Sequence, residues 1–313
     1  MGIKILRQTI SSTSTEPLPP PTEYGIIACD RAGSMYVGDS SNSPVEQMSV
    51  KKYSQTSNPN LLDNTNFFNP INQRNQTSYS NTDAAPKYSI DRWQVLGGTF
   101  DVQTRTYTSN STLGIYGNQF RQYIPLENVS IGDTITVSSV INDTRQIFTT
   151  TIPQYGDSVT DAPFLLETTW GGFKMITRKA EHAALLTMVV NVSQSITVDW
   201  IKMEFGNFAT PYVPKGYGAE LAECLRYFQR VHVDWRIYPT LKDMLYRFSQ
   251  STLQVMRIKP TISAHGTPYT FGCTINALDA QPMAFTVEAK ITEQGQNAAA
   301  ASMLGPFDLS ADI

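Results

Sequence analysis

The chain has 313 residues and a formal net charge of −3. Charged residues make up only 16%, against about 25% in an average soluble domain. They form no Lys/Arg cluster, which excludes a protein that grips nucleic acid by neutralising phosphates. The apolar runs fall short of the ~18 residues of a membrane span, so no membrane insertion is expected. Residues 1–7 lack the apolar centre of a secretory leader.

The missing charge is replaced by Ser, Thr, Asn and Gln, with 18 Pro and 19 Gly. That composition favours many short strands and turns over a helical bundle. Cys29, Cys224 and Cys273 are few, odd in number and far apart, with no metal-ligand spacing. Free thiols in a protein assembled in a reducing cytoplasm follow. Sequons at Asn75, Asn110, Asn128, Asn142 and Asn191 are chance matches in so Asn- and Thr-rich a chain.

Residues 1–57 read as a first segment. Ile3-Lys4-Ile5-Leu6 suits a short strand and Pro17-Leu18-Pro19-Pro20-Pro21 extended chain. Two runs, Glu23 to Asp30 and Ser34 to Asp39, flank Arg31-Ala32-Gly33 as a hairpin. So few apolar groups make no self-sufficient core, so this segment is expected to pack on copies of itself or on a particle.

Residues 58–215 read as a β-sandwich. Phe100, Val102 and Thr104 alternate with polar residues, as do Ile135 and Val137. Ala183–Val190 is almost continuously apolar, as in a strand covered on both faces. The apolar phase flips at Trp200/Ile201, which requires a bulge. Trp93 and Trp200 are expected in the core, and Trp170 and Trp235 at loop-like boundaries.

Residues 216–313 open with the one helical pattern, over 217–231, where Leu221, Cys224, Leu225, Phe228 and Val231 recur at helical spacing. Glu220 and Glu223 near its start and Arg226 and Arg230 near its end suit the macrodipole. Strands return, with Tyr269, Phe271, Cys273 and Ile275 on one face and Phe285, Val287, Ala289 and Ile291 on another. The expected class is mainly β: an N-terminal hairpin anchor, then two jelly-roll-like β-sandwiches joined by one short helix.

Three stretches carry a resemblance. Glu23-Tyr24-Gly25-Ile26 with Tyr36-Val37-Gly38-Asp39 resembles the N-terminal β-prism hairpin of phage tail-fibre proteins, departing at Ser40, where that family usually has Gly. Asn60-Leu61-Leu62-Asp63-Asn64, Phe67, Pro70-Ile71-Asn72-Gln73-Arg74 and Ile90-Asp91-Arg92-Trp93 look like the opening of the carbohydrate-binding-module-like sandwich of many phage tail proteins. Trp200 to Gly206, Ala209 to Pro214 and Tyr217 to Phe228 are similar to its end and exit helix. The resemblance implies a homotrimeric virion fibre or baseplate subunit that contacts other virion proteins and a host-surface glycan or receptor. Tyr24, Ile26, Tyr36, Val37, Gly38 and Asp39 would serve attachment and trimerisation. An architectural head fibre or decoration protein is the alternative.

Chemistry is sparse. Gly38-Asp39-Ser40 resembles an esterase nucleophile block, but His182, His232 and His265 all lack an Asp three positions earlier, and a serine needs an oriented base. Paired carboxylates such as Asp157/Asp161 or Glu220/Glu223 would suit a capsule depolymerase, yet no β-helix repeat accompanies them. No cofactor fingerprint occurs. Asp63 or Asp199 offers a calcium ligand, but no loop has dense acidic spacing, and no metal is assigned. Sugar binding by C–H stacking needs exposed aromatic faces beside hydrogen-bonding groups. Trp235, Tyr238, His232 and Tyr269 are the expected contacts, and adhesion rather than catalysis the expected activity.

Overall fold

The computed structural model describes residues 27–29, 35–37, 57–83, 85–110, 117–237, 242–292 and 301–311. The chain divides into two units, Met1–Asn58 with Thr210–Val213, and Pro59–Ala209 with Pro214–Ile313. In the first unit, β1 (Ile27–Cys29) and β2 (Met35–Val37) pair antiparallel with Ile27 opposite Val37, as the hairpin pattern predicts. Ile3 to Leu6, Tyr24, Ile26, Gly38 and Asp39 lie outside the described residues. The same unit joins Ser57 Oγ to the Pro211 carbonyl at 2.8 Å and the Asn58 amide to Thr210 Oγ1 at 3.1 Å.

The second unit begins with a sandwich of short strands. In chain order they are β3 (Ser78–Asn81), β4 (Lys87–Tyr88), β5 (Gln94–Leu96), β6 (Gly98–Asp101), β7 (Thr106–Ser109), β8 (Gln119–Pro125), β9 (Thr134–Ile141), β10 (Thr144–Thr151), β11 (Leu166–Thr168), β12 (Gly171–Arg178), β13 (Ala183–Val190) and β14 (Ser195–Phe205). They form two six-stranded sheets, ordered β10-β9-β14-β7-β6-β3 and β11-β12-β13-β8-β5-β4.

The space between the sheets is filled by rings. Phe120 on β8 stacks on Trp93 at 4.8 Å and on Phe100 at 4.7 Å between centroids, with Phe67 at 5.8 Å. β13 is buried at every position. Ala184, Leu186, Met188 and Val190 face this core. Ala183, Leu185 and Val189 face a second cluster with Tyr123, Val159 and Ile176. The apolar run therefore does mark a strand covered on both faces.

β14 changes partners along its length. Residues 195–197 pair with β7 and the remainder with β9, and the register shifts between Val198 and Trp200. The shift brings Ile201 and Met203 into the same core as Ile196 and Val198. It lies about where the apolar phase changes, and it leaves Trp200 half-buried rather than in the core. Trp93 and Trp170 are buried. Strand β6 stops earlier than the alternation through Thr104 suggests. Asp101 Oδ1 accepts the Thr104 amide at 2.8 Å and its hydroxyl at 2.9 Å, which turns the chain.

After this sandwich, α1 (Tyr217–Cys224) is followed by β15 (Phe228–Ile237), β16 (Leu245–Ser251), β17 (Thr261–Ala264), β18 (Tyr269–Phe271), β19 (Cys273–Gln281), β20 (Ala284–Ile291) and β21 (Ala301–Ser310). The helix is much shorter than its apolar spacing predicts. Phe228 and Val231 belong to β15, and Arg230 is not a helix-end cation. Two-residue alternation takes over: Val231, Val233 and Trp235 are buried while His232, Asp234 and Arg236 are exposed.

β21 lies between β15 on one side and β17 and β18 on the other; β16, β20 and β19 form a second sheet. One core joins the inner faces, with Val233, Trp235, Met303 and Phe307 against Phe285, Val287, Ala289 and Ile291. The predicted common face of Tyr269, Phe271 and Cys273 is broken. Gly272 takes φ +62 between β18 and β19, so Cys273 is buried while Tyr269 and Phe271 face out. Cys224 and Cys273 are buried free thiols.

The two sandwiches meet where the chain leaves the helix. The Arg92 guanidinium lies 3.5 Å from the Tyr227 ring centroid and the Arg74 guanidinium 3.8 Å from that of Phe228. Arg92 is paired with Asp63 at 3.1 Å and Arg74 with buried Asp91 at 3.0 Å. Gln73 Nε2 donates to the Phe228 carbonyl at 2.9 Å, and Arg230 Nη1 to that of Arg74 at 3.1 Å.

Phe120 meets Phe67, Trp93, Phe100 and Tyr107, so its truncation empties the centre of that ring group. Phe120→Ala is expected to cost about 3–5 kcal/mol, read as a shift of the urea midpoint. A loss below about 1 kcal/mol contradicts the stacked-ring core.

Candidate functional site

The outer face of the sheet around β21 collects the exposed aromatic groups of the distal sandwich. Residues opposite one another in an antiparallel ladder point to the same face. With Met303, Gly305, Phe307 and Leu309 buried, the alternate residues of β21 face outward. Register then sets three rows. His232 lies beside Pro306; Asp234, Leu304 and Tyr269 form the next row; Arg236, Ser302 and Phe271 form the third. Tyr269 is 60% exposed, Phe271 46% and Leu304 42%. The two rings occur on alternate residues of one short strand, about 6.6 Å apart along it.

Charge is laid beside this apolar strip rather than within it. Asp234 and Arg236 are exposed on β15 and form no ion pair among the described residues. At the end nearer the first sandwich, Arg230 holds Asp308 through two bonds of 2.7 and 3.0 Å. His265 Nδ1 lies 3.2 Å from the same carboxylate, and its amide donates to the Pro306 carbonyl at 2.9 Å. That end is closed by the ion cluster, whereas Tyr269 and Phe271 remain exposed at the other. Pro268 leads into β18 over Gly305, where a Cβ would come within 2.9 Å of the proline ring, so only glycine lets β18 approach this closely.

The four expected contact residues divide accordingly. His232 and Tyr269 share the outer face. Trp235 does not: it is 8% exposed and packs inward opposite Met303, because it continues the alternation of Val231 and Val233. Tyr238 lies outside the described residues. Sequence reasoning missed Phe271, Leu304, Asp234 and Arg236. The alternation after Val231 was the available signal for the β15 pair.

The acidic residues considered for catalysis or metal fall elsewhere. Asp157 and Asp161 are exposed on the loop before β11. Asp63, Glu220 and Glu223 bring one oxygen each within 4.8 Å of one another. Lys215 sits among them, donating to Glu223 and lying 3.8 Å from Asp63. Glu220 accepts the Asn64 amide. The cluster is thus a salt-bridged prop under the helix, with Lys215 in the cationic position. Asp199 pairs with Arg105 at 3.2 Å.

Burial pushes the Glu220 and Glu223 carboxyls above their ordinary range, with the Asn64 amide and Lys215 pulling part of the way back. Burial draws the Lys215 ammonium down, but the carboxylates around it outweigh that and raise it.

No family model matches the chain, and no curated protein or solved structure does either.

The Glu220 shift has a signed consequence. A carboxyl raised in the fold ionises more readily when unfolded, so it favours the fold in acid and loses that contribution as pH climbs through the raised value. Glu220→Gln keeps the acceptor for Asn64 and is expected to melt higher than the native chain near about pH 7, with the gap closing towards about pH 4. A variant that melts lower near neutrality, followed by circular dichroism, contradicts the assignment.

Proposed function

We propose that this chain is a bacteriophage fibre or baseplate subunit that attaches the virion to its host by binding a surface glycan through the outer face around β21. The observation that carries the reading is the pair Tyr269 and Phe271, two exposed rings on one face beside Leu304, with Asp234 and Arg236 on the far edge of the same rows. A sugar ring offers C–H groups to an aromatic face and hydroxyls to a carboxylate or guanidinium, so this combination suits it. His232 borders the rows. The activity proposed for this face is adhesion.

Low charge and a mainly β architecture support the same reading. So does the resemblance of residues 60–74, 90–93 and 217–228 to the sandwiches of phage tail proteins. The β1–β2 hairpin, with Tyr36 and Val37 on β2 and Tyr24, Ile26, Gly38 and Asp39 flanking it, is the proposed virion anchor and trimerisation element. Three heads on one fibre would turn weak single contacts into firm attachment.

Tyr269→Ala and Phe271→Ala test the face. Both side chains are solvent-exposed, so the melting temperature should stay within about 0.5 kcal/mol equivalent of native. Binding of the labelled full chain to phage-susceptible cells and to a glycan array should fall at least about tenfold. Undiminished binding in both variants overturns the site. Light scattering should give three times the 34.8 kDa chain mass; a monomer overturns the trimer.

A further inference from the structure

The opposite sheet of the distal sandwich carries a different kind of surface. On its outer face Arg247 and Ser249 of β16 lie opposite Glu288 and Thr286 of β20, and these lie opposite Ala277 and Asp279 of β19. The six residues line an open depression of about 320 Å³. Its shape comes from β19, whose register shifts between Ile275 and Ala277. A bulge of this kind re-aims side chains. It turns Asn276 onto Glu288, and it leaves only the Ala277 methyl where a longer side chain would fill the hollow.

The polar groups around the hollow are paired with one another across the surface. Glu288 Oε2 accepts from Arg247 Nε at 2.6 Å and Oε1 from Asn276 Nδ2 at 2.5 Å. Ser249 Oγ and Thr286 Oγ1 are 2.8 Å apart. Asp279 is paired with Lys259 at 3.1 Å. The hydrogen bond from Arg247 holds Glu288 below the usual carboxylate range, and that from Lys259 does the same for Asp279. Two cations thus face two carboxylates, and the charges balance.

This balance selects a class of ligand. An anionic group such as a phosphate, sulfate or uronate would meet no surplus cation. A metal ion would have to displace Arg247 or Lys259. A neutral group whose hydroxyls both donate and accept finds acceptors on Glu288 and Asp279, a donor on Arg247, and both functions on Ser249 and Thr286. They lie on three adjacent strands about 4.8 Å apart, so Arg247 and Asp279 stand two strands from one another. We propose that the depression between Arg247 and Asp279 is a second glycan subsite, one that takes a neutral hexopyranose unit by polar contacts alone. It lies on the sheet opposite the aromatic rows, so each head has two separate grips, and this inference stands without the aromatic face.

Methyl-labelled alanine in the full chain provides the test, because Ala277 lies in the hollow. Its resonance is assigned by its loss in Ala277→Ser. Methyl α-D-glucopyranoside, methyl α-D-mannopyranoside and methyl β-D-galactopyranoside are titrated separately, with sodium glucuronate and inorganic phosphate beside them. At least one neutral glycoside should shift Ala277 saturably, with a dissociation constant on the order of 1–10 mM. The shift should vanish in Arg247→Ala and Asp279→Asn, whose remaining alanine methyls report an intact fold, and persist in Tyr269→Ala. No shift with any neutral glycoside, a shift with glucuronate or phosphate alone, or one that survives both variants overturns the proposal. Loss of cell binding in Tyr269→Ala with a silent Ala277 overturns this subsite and leaves the aromatic face standing; the reverse pattern does the opposite.

Discussion

Two arginines hold the distal half of the second unit in place. Arg92 and Arg74 are each tied to a carboxylate, and each lies across one of two consecutive rings, Tyr227 and Phe228. A guanidinium on an aromatic face away from water contributes roughly 2 kcal/mol. The pairing carboxylates offset the cost of burying the charge. Arg92 itself takes φ +71, a left-handed conformation uncommon for a side chain of its size, and it is buried. Its hydrogen bond to the Tyr123 carbonyl at 2.8 Å anchors it to β8 and the ring stack. Since Phe228 is the first residue of β15, the clamp sets where that strand starts and which of its faces is turned out.

That placement links the ring-filled core to the exposed rows. β15 alternates Val231, Val233 and Trp235 inward, so Asp234 and Arg236 come out beside Leu304, Tyr269 and Phe271. Arg230 belongs to both parts: it bonds the Arg74 carbonyl at the joint and Asp308 at the closed end of the outer face. The two outer faces of the distal sandwich then differ in character. One carries rings with charge at its edge; the other carries charge already neutralised in pairs. A surface lacking net charge relies on shape and hydroxyl matching, which is the property the proposed glycan attachment requires.

Much of the fold was legible because strand periodicity is local. The hairpin at Ile27 and Met35, the two-faced burial of Ala183–Val190 and the inward set Phe285, Val287, Ala289 and Ile291 all follow from it. The β14 phase change pointed to a register shift within about a residue of where it occurs. The helix end was not legible. Leu221, Cys224, Leu225, Phe228 and Val231 satisfy a helical period, while Val231, Val233 and Trp235 satisfy a strand period, and the two overlap. Contacts from Arg74 and Gln73, far away in sequence, settle Phe228 as strand. The same overlap hid Trp235 in the core.

The exposed face was only half legible for a related reason. Tyr269 and His232 could be picked as residue types, but placing them on one surface needs the β21 register, which is tertiary information. Phe271 was assigned to the Cys273 face because nothing local shows that Gly272 takes a positive φ. The motifs at Asn64, Asp91 and Arg92 likewise look like landmarks of a module. Their work here is structural: Asn64 bonds the Ile71 and Asp91 carbonyls at 2.8 and 2.7 Å, and accepts the Ile71 amide at 2.7 Å.

Hydrogen exchange of the intact chain, followed with and without purified host-surface polysaccharide, tests the central claim most directly. Slowed exchange in β15, β18 and β21 with the first sandwich unchanged is the outcome expected of a distal grip. Protection confined to the first sandwich, or to the hairpin at residues 27–37, would show that the surface-binding part of the molecule lies elsewhere.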